Sequence, residues 1–149
     1  MMSIWTKIAT IAKKNTNLPT SIDEDEYPIR RGQLYIAKLD DERSVGSEQM
    51  KDRLVLVVQN NTGNKYSNTV IVAMATSKID KRPDLPVHKL VCVNKFDKQN
   101  MILAEQLRTI DKQRLVRYVG RLSSTDMAEV DEALACSLDL ARREAYEGA

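Results

Sequence analysis

Two residues of this 149-residue chain stand where a phosphate could be handled. Arg53 opens one apolar, β-branched run (RLVLVVQ), and Thr76 closes another (TVIVAMAT). An arginine presents a planar fork of donors that matches two phosphate oxygens. A threonine hydroxyl can donate one more hydrogen bond as charge builds on such an oxygen. Preorganised donors of this kind are worth about 3–4 kcal/mol in a transition state. In an antiparallel meander, the start of one strand and the end of the next lie at the same edge of the sheet. The two side chains can therefore face each other despite their separation in sequence. Ser47, Glu48, Gln49, Lys51, Asp52, Ser77 and Lys78 crowd the adjoining polar connections. The same residue types also serve as an ion-paired strand start and an ordinary β former. Spacing alone leaves both readings open.

Other chemistry is thinly represented. His88 is the sole histidine and sits in a strand-like run, where a structural or surface role competes with that of a lone base. Cys92 and Cys136 are the two cysteines, expected as buried thiols of a reducing compartment. One histidine, two distant cysteines and no tight carboxylate cluster assemble no metal site of ordinary ligand spacing, and no cofactor is expected. Walker, Rossmann and nucleophile-elbow patterns are missing. Glu105 and Gln106 read as the close of a strand before a turn. Tyr35, Tyr66 and Tyr118 could stack on bases or fill a core.

The elements that must position these groups are short. Residues 3–14 place Ile4, Ile8 and Ile11 on one face and predict an amphipathic helix. Residues 15–28 are polar, carry two prolines and read as a linker. The expected division is thus an extension over 1–28 and a folded domain over 29–149. Strands are expected over 33–39, 53–59, 69–76, 87–93 and 101–105, with a possible edge strand at 119–122. The continuous apolar runs should be central and covered on both faces. Long polar loops over 40–52 and 77–86 are where function usually sits. Between the second and third strands, NNTGNKYSN can turn or form one helical turn. A C-terminal helix capped by Ser123, Ser124 or Thr125 should bury Met127, Val130, Leu134, Leu138 and Ala141. The fold class is α+β, mainly β: a small antiparallel barrel or sheet with short helices. With 42% hydrophobic residues the chain can build a core, and no apolar run approaches the ~20 residues of a membrane span. Without a secretory signal, a cytoplasmic location is expected. The net charge of +2 permits nucleic acid as a partner without demanding it.

Several strings, in order, resemble MazF/PemK-type toxins. They are RRGQLYIAKLDDERSVGSEQMKDRLVLVVQNNTGNKYSNTVIVAMATSKI, LPVHKL, ILAEQLRTIDKQRL and VDEALACSLDL, spanning roughly residues 30–140. The resemblance implies an SH3-like barrel of plasmid-maintenance-toxin type that forms a homodimer. It implies metal-independent cleavage of single-stranded RNA at a short sequence, and neutralisation by a small acidic antitoxin. Carried over by position, Arg53 and Thr76 are the catalytic pair. Ser47, Glu48, Gln49, Asn60, Lys78 and Gln106 fall where the family lines its RNA groove. With no metal, the substrate's own 2′-hydroxyl is the natural nucleophile, giving a 2′,3′-cyclic phosphate and a 5′-hydroxyl; Arg53, Glu48 or water would take its proton. Met50, Lys51 and Leu54 replace the two glycines and the proline common around the family's arginine, and Lys78 replaces a frequent glutamine. These changes imply a loop shaped for a different base sequence. A non-catalytic barrel binding RNA or an antitoxin, and a gyrase poison resembling the CcdB toxins, are the alternatives.

Overall fold

The computed structural model describes residues 28–40, 50–92 and 99–140. The expected N-terminal helix, most of the linker, Ala141 and the loop bearing Ser47, Glu48 and Gln49 lie outside these residues. The order along the chain is β1 (Gln33–Asp40), β2 (Met50–Val57), α1 (Asn61–Tyr66), β3 (Thr69–Thr76), β4 (His88–Cys92) and β5 (Gln99–Asp111). A 3-10 turn (Lys112–Arg114), β6 (Leu115–Arg121) and α2 (Ser124–Ser137) follow. The strands form one antiparallel sheet in the order β4-β5-β3-β2-β1-β6. The two most apolar strands, β2 and β3, are central, as continuous β-branched runs require when both faces are covered.

Alternation along these strands builds two cores. Val55, Val57, Val70 and Val72 point to one side and pack with Tyr35, Ala37, Leu39, Ile110 and Leu115. Strands supply nearly all of that cluster, so the sheet curls to enclose it without closing into a barrel. Tyr35 and Tyr118 meet edge to face there, with ring centroids 5.6 Å apart, so both tyrosines serve the core. Leu56 and Ala73 point to the other side, where Val130, Ala133 and Leu134 of α2 cover them. Ser123 caps α2 through its hydroxyl, which accepts the Asp126 amide at 3.1 Å. The chain enters β1 through Gly32, whose φ of 92° is open to glycine at little cost. The Gly32 amide donates to Val57 O and its carbonyl accepts from Leu122, both at 2.9 Å, tying β1 to the ends of β2 and β6.

Several expectations are corrected. β2 begins at Met50, three residues before Arg53, because the polar stretch Met50–Asp52 finds ladder partners in β1. NNTGNKYSN forms α1, and Asn64, fully buried, knits it in: its side chain donates to Gln59 O at 2.9 Å and to Asn61 Oδ1 at 3.2 Å. β5 runs for 13 residues, so Glu105 and Gln106 lie within the strand and close nothing. β6 begins four residues before the expected edge strand and does lie at the sheet's edge. Leu138 caps α2 and stays exposed, since the helix ends at Ser137 and Asp139 takes a left-handed φ of 53°. Cys92 and Cys136 are exposed thiols. Cys92 follows the inward-pointing Val91, and Cys136 falls off the stripe of Val130, Ala133 and Leu134.

Candidate active cleft

The cleft arises where the central strands part. β2 and β3 pair over only three rungs, from Val57–Val72 to Val55–Met74. Beyond Val55, β2 stays on β1, with Arg53 opposite Ala37 and Lys51 opposite Leu39. Beyond Met74, β3 stays on β5, with Thr76 opposite Met101. Continuing the Val55–Met74 register by two residues on each strand sets Arg53 against Thr76. Both therefore belong to the same rung and the same face, now separated by a groove. Its volume is about 750 Å³. Leu39, Met74, Met101, Leu103 and Leu107 give it an apolar floor. Lys51, Arg53, Lys78, Lys81 and Arg108 make its polar lining strongly cationic, against the carboxylates Asp40 and Glu105.

A bulge in β5 shapes one wall. Ala73 pairs with Leu107 while the next residue, Met74, pairs with Leu103. Ala104, Glu105 and Gln106 are the surplus. Ala104 turns inward and is buried, and its amide donates to Val87 O at 2.9 Å. Glu105 and Gln106 are left exposed along the cleft. A bulge re-aims side chains in this way without ending the strand. On the neighbouring strand β3, the Thr76 hydroxyl oxygen accepts the Lys78 amide at 3.1 Å. That bond folds the start of the β3–β4 loop back toward the cleft and leaves the hydroxyl proton available to a ligand.

His88 joins these walls. Its side chain is 8% exposed. Nδ1 lies 2.7 Å from the Arg82 carbonyl and Nε2 lies 2.7 Å from Glu105 Oε1. Burial alone would discourage the charged ring. The hydrogen bonds to Glu105 and to the Arg82 carbonyl, with the Glu105 charge, outweigh it and raise the His88 pKa above its usual value. Arg82 itself is held at a left-handed φ of 57° and pairs with Asp84 at 3.2 Å on the surface.

Of the residues singled out in the sequence, Arg53, Thr76, Lys78 and Gln106 come together around this cleft, with Lys51 beside them. Asn60 does not line it. Its side chain caps α1, accepting the Gly63 amide at 2.8 Å. Lys81, Arg108 and the His88–Glu105 pair were not foreseen as a group. Their only signal was residence in the long loop or in the strand flanking it. Asp84 and Arg114 each hold charge nearby, the latter 3.9 Å from Asp40.

Fold and cleft together define the class: a small barrel-like β protein with a cationic groove where its central strands diverge. A model of the PemK-like, MazF-like toxins of type II toxin–antitoxin systems matches residues 30–138, and the chain belongs to this family. Solved structures agree on the fold. A mycobacterial endoribonuclease in complex with its cognate antitoxin is similar, at 23% identity and a TM-score of 0.61, over 76% of this chain and 98% of that one. The Mycobacterium tuberculosis toxin MazF-mt6 is similar at 23% identity and a TM-score of 0.60, over 74% and 99%. MazF from Deinococcus radiodurans gives 20% identity and a TM-score of 0.60, over 76% and 99%.

Proposed function

We propose that this protein is a metal-independent endoribonuclease that cleaves single-stranded RNA, the toxin of a toxin–antitoxin pair. The observation that supports the reading is that Arg53 and Thr76, each two residues beyond the last β2–β3 rung, line one cationic cleft within a chain of this family. Arg53 grips the scissile phosphate through its fork and neutralises charge on the pentacoordinate phosphorus. Thr76 donates a hydrogen bond from its hydroxyl to a non-bridging oxygen. The substrate's 2′-hydroxyl attacks phosphorus and gives its proton to water, the bond to the 5′-oxygen breaks, and that oxygen takes a proton from water and leaves as a 5′-hydroxyl, with a 2′,3′-cyclic phosphate on the other fragment. Lys78 and Gln106 line the path of the flanking nucleotides, and Ser47, Glu48 and Gln49 belong to the same groove through their place in the family's pattern. Asp40 and Glu105 each face a cation, Arg114 and His88, so we assign neither as the base that removes the 2′-proton. A cognate acidic antitoxin would compete for the same cations; the similar mycobacterial endoribonuclease is solved in complex with its cognate antitoxin. A homodimer, a cytoplasmic location and a separate extension over residues 1–28 complete the proposal. No helix among the described residues is long and apolar enough to cross a membrane.

The test is cleavage of a long, weakly structured RNA in EDTA, with Arg53→Ala alongside and the fragment ends mapped. Cuts at one recurring short motif, with 5′-hydroxyl ends and absent from the variant, are expected. Equal cutting by the variant, or none by either protein, would move the chain to a non-catalytic role.

A further inference from the structure

We propose that His88 is a positioning residue: its doubly protonated ring clamps the β3–β4 loop, which carries Lys78 and Lys81, to the β5 bulge that carries Glu105 and Gln106. The cleft then has its RNA-binding width only while both ring nitrogens hold protons. The inference rests on the ribonuclease reading for its substrate and on geometry for its mechanism. Both partners of the ring, the Arg82 carbonyl and the Glu105 carboxylate, are acceptors, each 2.7 Å away. An imidazolium satisfies both, whereas a neutral ring carries one N–H and turns a lone pair toward the other acceptor. The ring is nearly buried, so water does not readily repair that mismatch.

The clamp acts on the part of the loop that the sheet does not hold. Val87 is already fixed by the bond from Ala104, and the His88 amide by Leu85 O at 3.0 Å. Farther out, Arg82 sits in a backbone conformation that a non-glycine residue rarely keeps without support. His88 Nδ1 grips its carbonyl. Releasing that grip leaves the Arg82 carbonyl with the Leu85 amide alone, at 3.3 Å, and loosens the segment bearing Lys81, which lines the cleft. The charged groups facing the ring are Glu105 from β5 and Arg82 and Asp84 from the loop. Lys89, the next residue of β4, is engaged elsewhere, with Glu129 of α2 at 2.7 Å. A polyanion in the cleft adds negative charge near the ring and favours its charged form. By linkage, protonation must then strengthen polyanion binding by the same factor.

A single histidine makes the test direct, because the imidazole nitrogens of the full chain need no assignment. Nitrogen-15 spectra across a pH series report the ring. Amide protection over residues 77–87, taken relative to the intrinsic base-catalysed rate at each pH, reports the loop. Binding of a short mixed-sequence 2′-O-methyl RNA, which lacks the nucleophile, reports the cleft. The ring should titrate above its ordinary value of about 6.5, with both nitrogens protonated below that titration. Loop protection should fall and RNA binding should weaken, about tenfold, as the ring loses its proton. RNA should shift that titration to higher pH. Glu105→Gln should shift it lower, and His88→Asn should abolish the pH dependence of both loop and binding. A ring that titrates at or below its ordinary value overturns the proposal. So does a loop, or an affinity, indifferent to the titration. A wild type that binds no RNA at any pH overturns the ribonuclease reading and the positioning role with it. The ring and loop data, independent of RNA, separate that outcome from a clamp that does not exist.

Discussion

Arg53 and Thr76 are placed by a backbone event, the parting of β2 from β3, and the chemistry proposed for them depends on it. Had the ladder continued, their side chains would pack as neighbours on one sheet face with no room for a phosphate between them. The fork of Arg53 and the hydroxyl of Thr76 are separate donors, so their removal should be felt separately. Arg53→Ala is expected to lower the cleavage rate by at least about 10²–10³-fold, the usual cost of losing one preorganised donor. Arg53→Lys should recover little, because an ammonium keeps the charge and loses the fork. Thr76→Ser should stay within about tenfold of wild type and Thr76→Ala should not, since serine restores both the donor and the acceptor for the Lys78 amide. Single-turnover rates on one defined RNA decide these outcomes. His88 gives a prediction of a different kind. Its native pKa is raised, so its contribution to stability is complete below the unfolded value of about 6.5 and is lost as pH rises through the native one. Denaturation of wild type and His88→Asn across that range should show a gap that closes with rising pH. A gap that widens would contradict the paired imidazolium.

At the scale of elements, the turn after β5 holds the clearest stability prediction. Lys112 is fully buried, and its ammonium donates to the Asn64 carbonyl in α1. Burial pushes its pKa down to about 8. A depressed lysine pKa means that the folded state resists the proton which the unfolded chain accepts. The wild type should therefore gain stability relative to Lys112→Met as pH rises from about 8 toward the unfolded value near 10.5. The size of the gain should be of order 3 kcal/mol at most, from about 1.4 kcal/mol per unit. Urea melts of the two proteins at a series of pH values measure it, and a difference that stays flat would mean the ammonium is not desolvated. The motif that supplies Lys112 also shows what sequence can and cannot reveal. β3 was readable because TVIVAMAT is apolar on both faces, as only a covered strand can be. The cores of β2 and α2 were readable for similar reasons, and with them the positions of Arg53 and Thr76 at the ends of apolar runs. β5 was cut short because Glu105 and Gln106 interrupt its apolar run. A bulge produces that interruption, and no periodicity distinguishes it from a turn. The meeting of His88 with Glu105 is set by the β4–β5 register across 17 positions, which local patterns do not encode. Asn60 went astray for the opposite reason: a polar residue beside a strand end serves equally as a helix cap.

For the whole molecule, the central fact is that a chain of net charge +2 concentrates its cations in one place. Lys51, Arg53, Lys78, Lys81 and Arg108 meet in the cleft although they come from two strands and a loop. The exposed arginines Arg117 and Arg121 lie apart from them on the edge strand β6, where positive charge discourages another strand from adding to the sheet. If the cleft carries RNA, affinity should depend on salt as a local count of phosphate contacts, and hardly at all on net charge. For a single strand, the slope of log affinity against log salt is about −0.7 per phosphate contacted. Lys78→Gln and Lys81→Gln should each make that slope shallower by about 0.7 for a 2′-O-methyl RNA, and should do so for every base sequence tried. Arg121→Gln, an equal change in net charge, should leave the slope unaltered. Gln106 differs from the lysines in offering amide donors and acceptors with no charge, so Gln106→Ala should keep the slope while changing which sequence is preferred. Titrations at several salt concentrations with two or more RNA sequences separate these cases. If Arg121→Gln flattened the slope as much as Lys81→Gln, RNA would be running along the β6 edge, and the groove between the parted strands would lose its claim to the substrate.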